Sequence, residues 1–131
     1  MKLIHSTMMP VRWRDLDAFN HVNNSTYLSY LEEARLEWML ATPDLSLQDA
    51  TYPVMVASQL NYRRPIHWPN QVRIDLFAER IGTSSVTIAH RIVDSADSDI
   101  LYCDGNIVAV WVDGQTHQPA LLPDPVRNAC T

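Results

Sequence analysis

The sequence predicts an α+β domain in which one long helix follows the first of about five antiparallel strands. Three observations carry this reading. Residues 25–40 contain neither Gly nor Pro and repeat their apolar positions at helical spacing. From residue 52 onward the apolar period falls from about 3.6 to 2, with Val and Ile dominating. Turn-forming runs at 82–83 and 94–99 then divide the second half into antiparallel neighbours. A chain of 131 residues has room for one core, so 1–131 reads as a single domain.

Taken in order, residues 8–14 alternate, with Val11 and Trp13 on one face, which predicts a strand that Pro10 confines to its start or to an edge. Asp15 to Asn24 is rich in Asp and Asn and reads as turn and cap. The helix is expected over Ser25–Leu40, capped by Asn24 or Asn23 and ended by Thr42-Pro43. Its buried stripe is Tyr27, Leu31, Ala34 and Trp38, joined by Leu28, while Glu33 and Glu37 face out. Further strands are expected at 52–66, 71–81, 84–93 and 100–112, and Asp113-Gly114 closes the last. That strand is apolar on both faces near its end, as a strand covered on both sides would be.

Composition excludes several classes of function. The chain is 47% hydrophobic with only three Gly, so it is neither low-complexity nor disordered. Its longest apolar run, Ile107 to Val112, is six residues, against ~18 for a bilayer-crossing helix. A net charge of −5 disfavours nonspecific attraction to nucleic acid, so an anionic ligand must be met locally. Cys103 and Cys130 make no disulfide framework and the first residues no secretory signal, which points to the cytoplasm. The five His show no ligand spacing and no Gly-rich phosphate loop occurs, so neither metal nor cofactor is expected.

The most informative run is Asp15-Leu16-Asp17-Ala18-Phe19-Asn20-His21-Val22-Asn23-Asn24, with Tyr27 following at the start of the helix. It resembles the signature of hot-dog-fold thioesterases of the 4-hydroxybenzoyl-CoA thioesterase type. It is also similar to the Asp-Leu-Asp…His-Val-Asn-Asn motif of plant acyl-ACP thioesterases, although Phe19 stands where their Asn would fall. Segments 60–66, 81–85 and 105–113 resemble that family's second strand, third turn and last strand, so the likeness spans roughly residues 8–125. It implies a hot-dog fold, a five-stranded sheet wrapped around one helix. It also implies hydrolysis of an acyl-CoA or acyl-ACP thioester.

Thioester hydrolysis needs a group that attacks or activates water, and donors that polarise the carbonyl as negative charge develops. The resemblance maps the catalytic carboxylate onto Asp17 and the polarising backbone N–H onto Asn24. The helix start independently suits the second task, because its first N–H groups lack internal partners and carry partial positive charge. An aspartate at the ordinary pKa of ~3.9 is a poor base at neutral pH, which leaves direct attack and water activation both open. Asp15 reads as a structural carboxylate, and His21 as either a catalytic or a turn histidine.

Arg63 and Arg64 are candidates for the phosphates of coenzyme A. As consecutive strand residues they point to opposite faces, so at most one should face a shared pocket. The resemblance adds substrate contacts at Thr83, Ser84 and Ser85, and Phe19, Tyr62 and Trp68 are candidate pocket walls. Two other readings stand beside hydrolysis: a hot-dog hydratase or dehydratase using Asp17 and His21, and a non-catalytic acyl-thioester binder. One helix cannot cover both apolar faces of such a sheet, so a homodimer or homotetramer is expected, with Asp17 and Asn24 meeting substrate between subunits.

Overall fold

The computed structural model describes Met1–Thr131 and has the expected α+β architecture. The elements run β1 (Lys2–Pro10), a 3-10 turn (Trp13–Asp15), α1 (Asn24–Ala41), β2 (Thr51–Tyr62), β3 (Gln71–Ile81), β4 (Ser85–Asp94), β5 (Leu101–Asp113) and α2 (Asp124–Cys130). The strands form one antiparallel sheet in the order β1-β3-β4-β5-β2, curled around α1 in the hot-dog manner. Tyr27, Leu31, Ala34 and Trp38 are buried against it, as their spacing requires. Facing them are Ile74 and Leu76 of β3, Ile88 and Ile92 of β4, and Ile107 and Trp111 of β5, all at most 1% exposed. Each such side chain contributes ~1.5–3 kcal/mol by leaving water.

Several expectations shift. The strand predicted at 8–14 begins at Lys2 and ends at Pro10, and Trp13 is 70% exposed on the 3-10 turn while Val11 is buried. The mixed Lys2–Thr7 stretch lies on a sheet edge, where packing demands little apolar alternation, so its pattern is weak. The strand predicted at 52–66 stops at Tyr62, because Arg63 and Arg64 both donate their backbone N–H to the Tyr102 carbonyl, at 2.8 and 3.3 Å. Asn23 is the cap, its side-chain oxygen accepting from Ser25 N at 2.9 Å, and Asn24 is the first helical residue. Leu28 is exposed and Tyr30 completes the buried stripe; Glu37 is half-buried, with His5 Nε2 3.5 Å from its carboxylate.

The sequence reading has no counterpart for α2. Pro125 presets its first turn, and Val126 and Cys130, one turn apart, are buried. The Arg127 guanidinium donates to the Gly82 carbonyl at 3.0 Å, tying α2 to the β3–β4 turn. The opposite margin of the sheet is open: β2 is an edge strand, and Val54, Met55 and Val56 are exposed along it.

Candidate active site

The chain leaves β1 and enters α1 through a tight loop. Leu16 and Val22 form an antiparallel bridge, Asp17 N donates to the His21 carbonyl at 2.7 Å, and Asn20 turns the chain at φ 62. Asn tolerates that left-handed conformation better than most residues. Val22 N donates to the Ile66 carbonyl at 2.9 Å, fixing the loop to the segment after β2. Inside it, Asp17 Oδ1 accepts from Phe19 N at 2.8 Å and His21 N at 3.3 Å. The half-buried carboxylate is thereby pinned through one oxygen, and Oδ2 receives no hydrogen bond within the chain.

Asp15, two residues earlier, is structural. Its carboxylate is buried and accepts from the Tyr30 hydroxyl at 2.6 Å and from Arg12 N at 2.9 Å, and its carbonyl accepts from Asn23 N at 2.8 Å. Burial opposes ionisation here, but the hydrogen bonds from Tyr30 and Arg12 outweigh it and hold the carboxyl below the usual carboxylate range. Asp15 thus locks the 3-10 turn to α1 and sets where the helix begins.

The helix start faces β2. The Tyr62 hydroxyl donates to the Asn24 carbonyl at 3.0 Å, and its ring meets Tyr27 edge-on, centroids 4.9 Å apart. Burial pushes the Tyr27 phenol up to about 12, so it stays neutral. Asp17, His21, Asn24, Tyr27, Tyr62, Arg63 and Arg64 together line one cleft of about 210 Å³. The His21 ring packs edge-on against His67, centroids 5.0 Å apart. As an N1 residue, Asn24 carries one of the N–H groups that the helix cannot satisfy, beside partial positive charge.

Both arginines line the cleft, against the expectation of at most one, because they lie just beyond the end of β2 and strand alternation no longer governs them. Their commitments differ. Arg63 is bound to Asp104 of β5 through Nε and Nη2, while the Arg64 side chain makes no ion pair or hydrogen bond. Thr83, Ser84 and Ser85 are not brought to the cleft: Thr83 O accepts from Leu122 N at 3.0 Å and Ser84 O from Trp111 N at 2.8 Å, so the turn is tied to the C-terminal segment. Of the three expected pocket walls, Tyr62 lines the cleft and Phe19 and Trp68 do not.

The sequence model of the thioesterase-like superfamily matches residues 11–130. This chain belongs to that superfamily. The thioesterase is 28% identical over 124 residues to the long-chain acyl-CoA thioesterase FadM of Escherichia coli strain K12, covering 93% of each chain. Among solved structures it is similar to a candidate acyl-CoA thioesterase of Xanthomonas campestris at 47% identity and a TM-score of 0.84, covering 92% of this chain and 100% of that one. A candidate thioesterase of Pseudomonas aeruginosa superposes with a TM-score of 0.93 at 36% identity, covering 99% and 100%. The thioesterase is a thioester hydrolase, and hydration or mere binding gives way to hydrolysis.

Proposed function

We propose that this thioesterase hydrolyses acyl-CoA, with Asp17 as its catalytic carboxylate. One observation carries the reading: a single cleft holds a carboxylate with one oxygen pinned and the other uncommitted, beside the electropositive start of α1. Asp17 Oδ2 attacks the thioester carbon or draws a proton from the water that does. The Asn24 N–H stabilises the oxyanion, the carbon–sulfur bond breaks, and the departing thiolate ends with a proton from the water consumed in the reaction, relayed by the His21 ring. If Asp17 attacks, water then opens the mixed anhydride and restores the carboxylate. Arg64 meets a phosphate of coenzyme A with its unpaired guanidinium; an acyl-ACP substrate would present a single phosphate to the same group.

The acyl chain runs down the seam between α1 and β2. A second cavity of about 330 Å³ at its far end is lined mostly by apolar side chains, among them Leu36, Trp38, Met39, Met55, Ile107 and Trp111, with Glu32 and Arg35 beside them, and its apolar majority suits a long aliphatic chain. FadM is named for such substrates. The open β2 edge supports pairing of two copies as a homodimer or homotetramer, and contacts from Thr83, Ser84 and Ser85 to coenzyme A belong to that shared site. Two buried, unpaired cysteines fit a reducing cytoplasm.

Asp17→Asn tests the reading. The expected result is a folded protein whose kcat for thiol release falls by at least about a hundredfold, because the amide keeps the loop's acceptor and loses the reacting oxygen. A folded Asp17→Asn variant with near-wild-type kcat would overturn it. After a single turnover in isotopically labelled water, label in Asp17 identifies direct attack followed by opening of the anhydride at the Asp17 carboxyl carbon.

A further inference from the structure

The loop before α1 and the segment after β2 are joined by one backbone hydrogen bond, from Val22 N to the Ile66 carbonyl at 2.9 Å. Both residues are at most 1% exposed, so the bond is shielded from water and fixes the two stretches relative to each other. His21 precedes Val22 and His67 follows Ile66. Their rings meet beside that bond, edge-on at an interplanar angle of 76° with centroids 5.0 Å apart. Aromatic rings favour this arrangement over a face-to-face sandwich. His21 lines the catalytic cleft and His67 does not, so one ring is within reach of substrate and the other is its neighbour outside.

The backbone N–H of His21 donates to Asp17 Oδ1, but the ring makes no hydrogen bond or ion pair within the chain. That freedom is what a proton relay needs, since one ring nitrogen must accept while the other donates. It also leaves the imidazole without the orienting partner that a carboxylate supplies when it holds one ring nitrogen. A half-buried side chain free at both side-chain torsions samples several rotamers, few of which face the reacting atoms. Contact with the His67 ring narrows that choice without occupying a nitrogen.

Resting on the acyl-CoA reading above, in which His21 relays a proton, we propose that His67 is the positioning residue for the His21 imidazole. His67 lies outside the cleft lining and acts through ring contact, while the Val22–Ile66 bond keeps its backbone in place beside the loop. Its own ionisation has no part in this role, because any aromatic ring of similar size would restrict His21 in the same way. A phenyl ring therefore serves in its place, and a methyl group does not.

The test is a double-mutant cycle on thiol release from tetradecanoyl-CoA, with His21→Ala, His67→Ala and both together. His67→Ala should lower kcat by about fivefold to tenfold with KM held within about twofold, because a misplaced imidazole slows the chemistry and leaves substrate binding alone. His67→Phe should restore most of that loss. In a chain already carrying His21→Ala, removing His67 should cost nothing further. The His21 imidazole resonances read the contact without catalysis: the neighbouring ring should displace them in the wild type and in His67→Phe, and His67→Ala should return them to free-histidine positions. Unchanged kcat in His67→Ala beside an impaired His21→Ala overturns the proposal and leaves the hydrolase reading standing. So does an equal loss with and without the His21 ring, which would make His67 a support of the loop, and so does a His67→Phe variant as slow as His67→Ala. Full kcat in His21→Ala would remove the relay and the proposal with it, while thiol release still upholds hydrolysis. Resonances that depend on His67, in a protein that releases no thiol from any acyl-CoA, would keep the ring pair and sink the hydrolase reading.

Discussion

Acidifying the protein from about pH 7 to pH 4 loads a proton onto an unfolded His90 long before a folded one, and this difference can be followed in a stability measurement. An unfolded histidine titrates near 6.5; in the fold, burial and the neighbouring Arg35 cation lower the value to about 4. Between those values the unfolded chain binds a proton that the native chain refuses, so stability is present above about 6.5 and is lost as pH falls toward 4. At ~1.4 kcal/mol per pKa unit the gap amounts to about 3 kcal/mol, a sizeable part of the ~5–15 kcal/mol that holds a typical domain together. Denaturant midpoints of wild type and His90→Leu, measured at one protein concentration across this range, isolate the effect because carboxylate titration is common to both. Leucine removes both ring nitrogens, and the wild type should lose about 2–3 kcal/mol more than the variant on acidification. Parallel pH profiles would refute the argument, because they would mean that Asp104, whose charge and carbonyl oppose the shift, holds the folded imidazole near its ordinary value.

Three further outcomes follow from the cleft and its surroundings. Arg64→Ala should raise KM for acyl-CoA several-fold with little change in kcat, while an acyl-pantetheine substrate barely responds; equal losses on both would assign Arg64 to structure. Asp15→Ala strands the Tyr30 hydroxyl and the Arg12 N–H and should cost about 2–4 kcal/mol in denaturant unfolding, whereas the milder Asp15→Asn should leave kcat closer to wild type than Asp17→Asn does. Sedimentation at low micromolar concentration should give at least twice the 15.0 kDa chain mass, and Val56→Lys on β2 should shift it toward the monomer. A fully active monomer would place the whole site in one chain.

The helix and the three central strands were readable because burial forces their periods. Tyr27, Leu31, Ala34 and Trp38 must share a face, and the β3–β5 alternation follows from a sheet with a packed side. The edge strand β1 and the short α2 were harder, since an edge makes few apolar demands and α2 shows only Pro125, Val126 and Cys130 as its signal. At the site, the Asp17–Asn24 run was legible as turn and cap chemistry, because Asp and Asn declare their local hydrogen bonds. What sequence spacing does not reveal is commitment. Nothing in the Arg63-Arg64 pair shows that Asp104, far along the chain, occupies one guanidinium and leaves the other. His90 and Gly105 are likewise distant in sequence, and only the sheet's register sets one opposite the other.

The pinned Asp17 oxygen also has an entropic side. In the proposed role of Asp17, a carboxylate on a mobile loop would give up its rotational freedom each time substrate arrives; here the Phe19 and His21 amides remove that freedom once, when the chain folds. The burden moves from turnover to the backbone, which must hold Asn20 in a left-handed conformation in every resting molecule. Asn20→Gly would relax that conformation and at the same time enlarge the range of shapes the loop can explore when unfolded. Under the proposed role of Asp17, thermal robustness and reaction rate meet in the same seven residues, 16–22, and a variant selected for one is expected to register in the other.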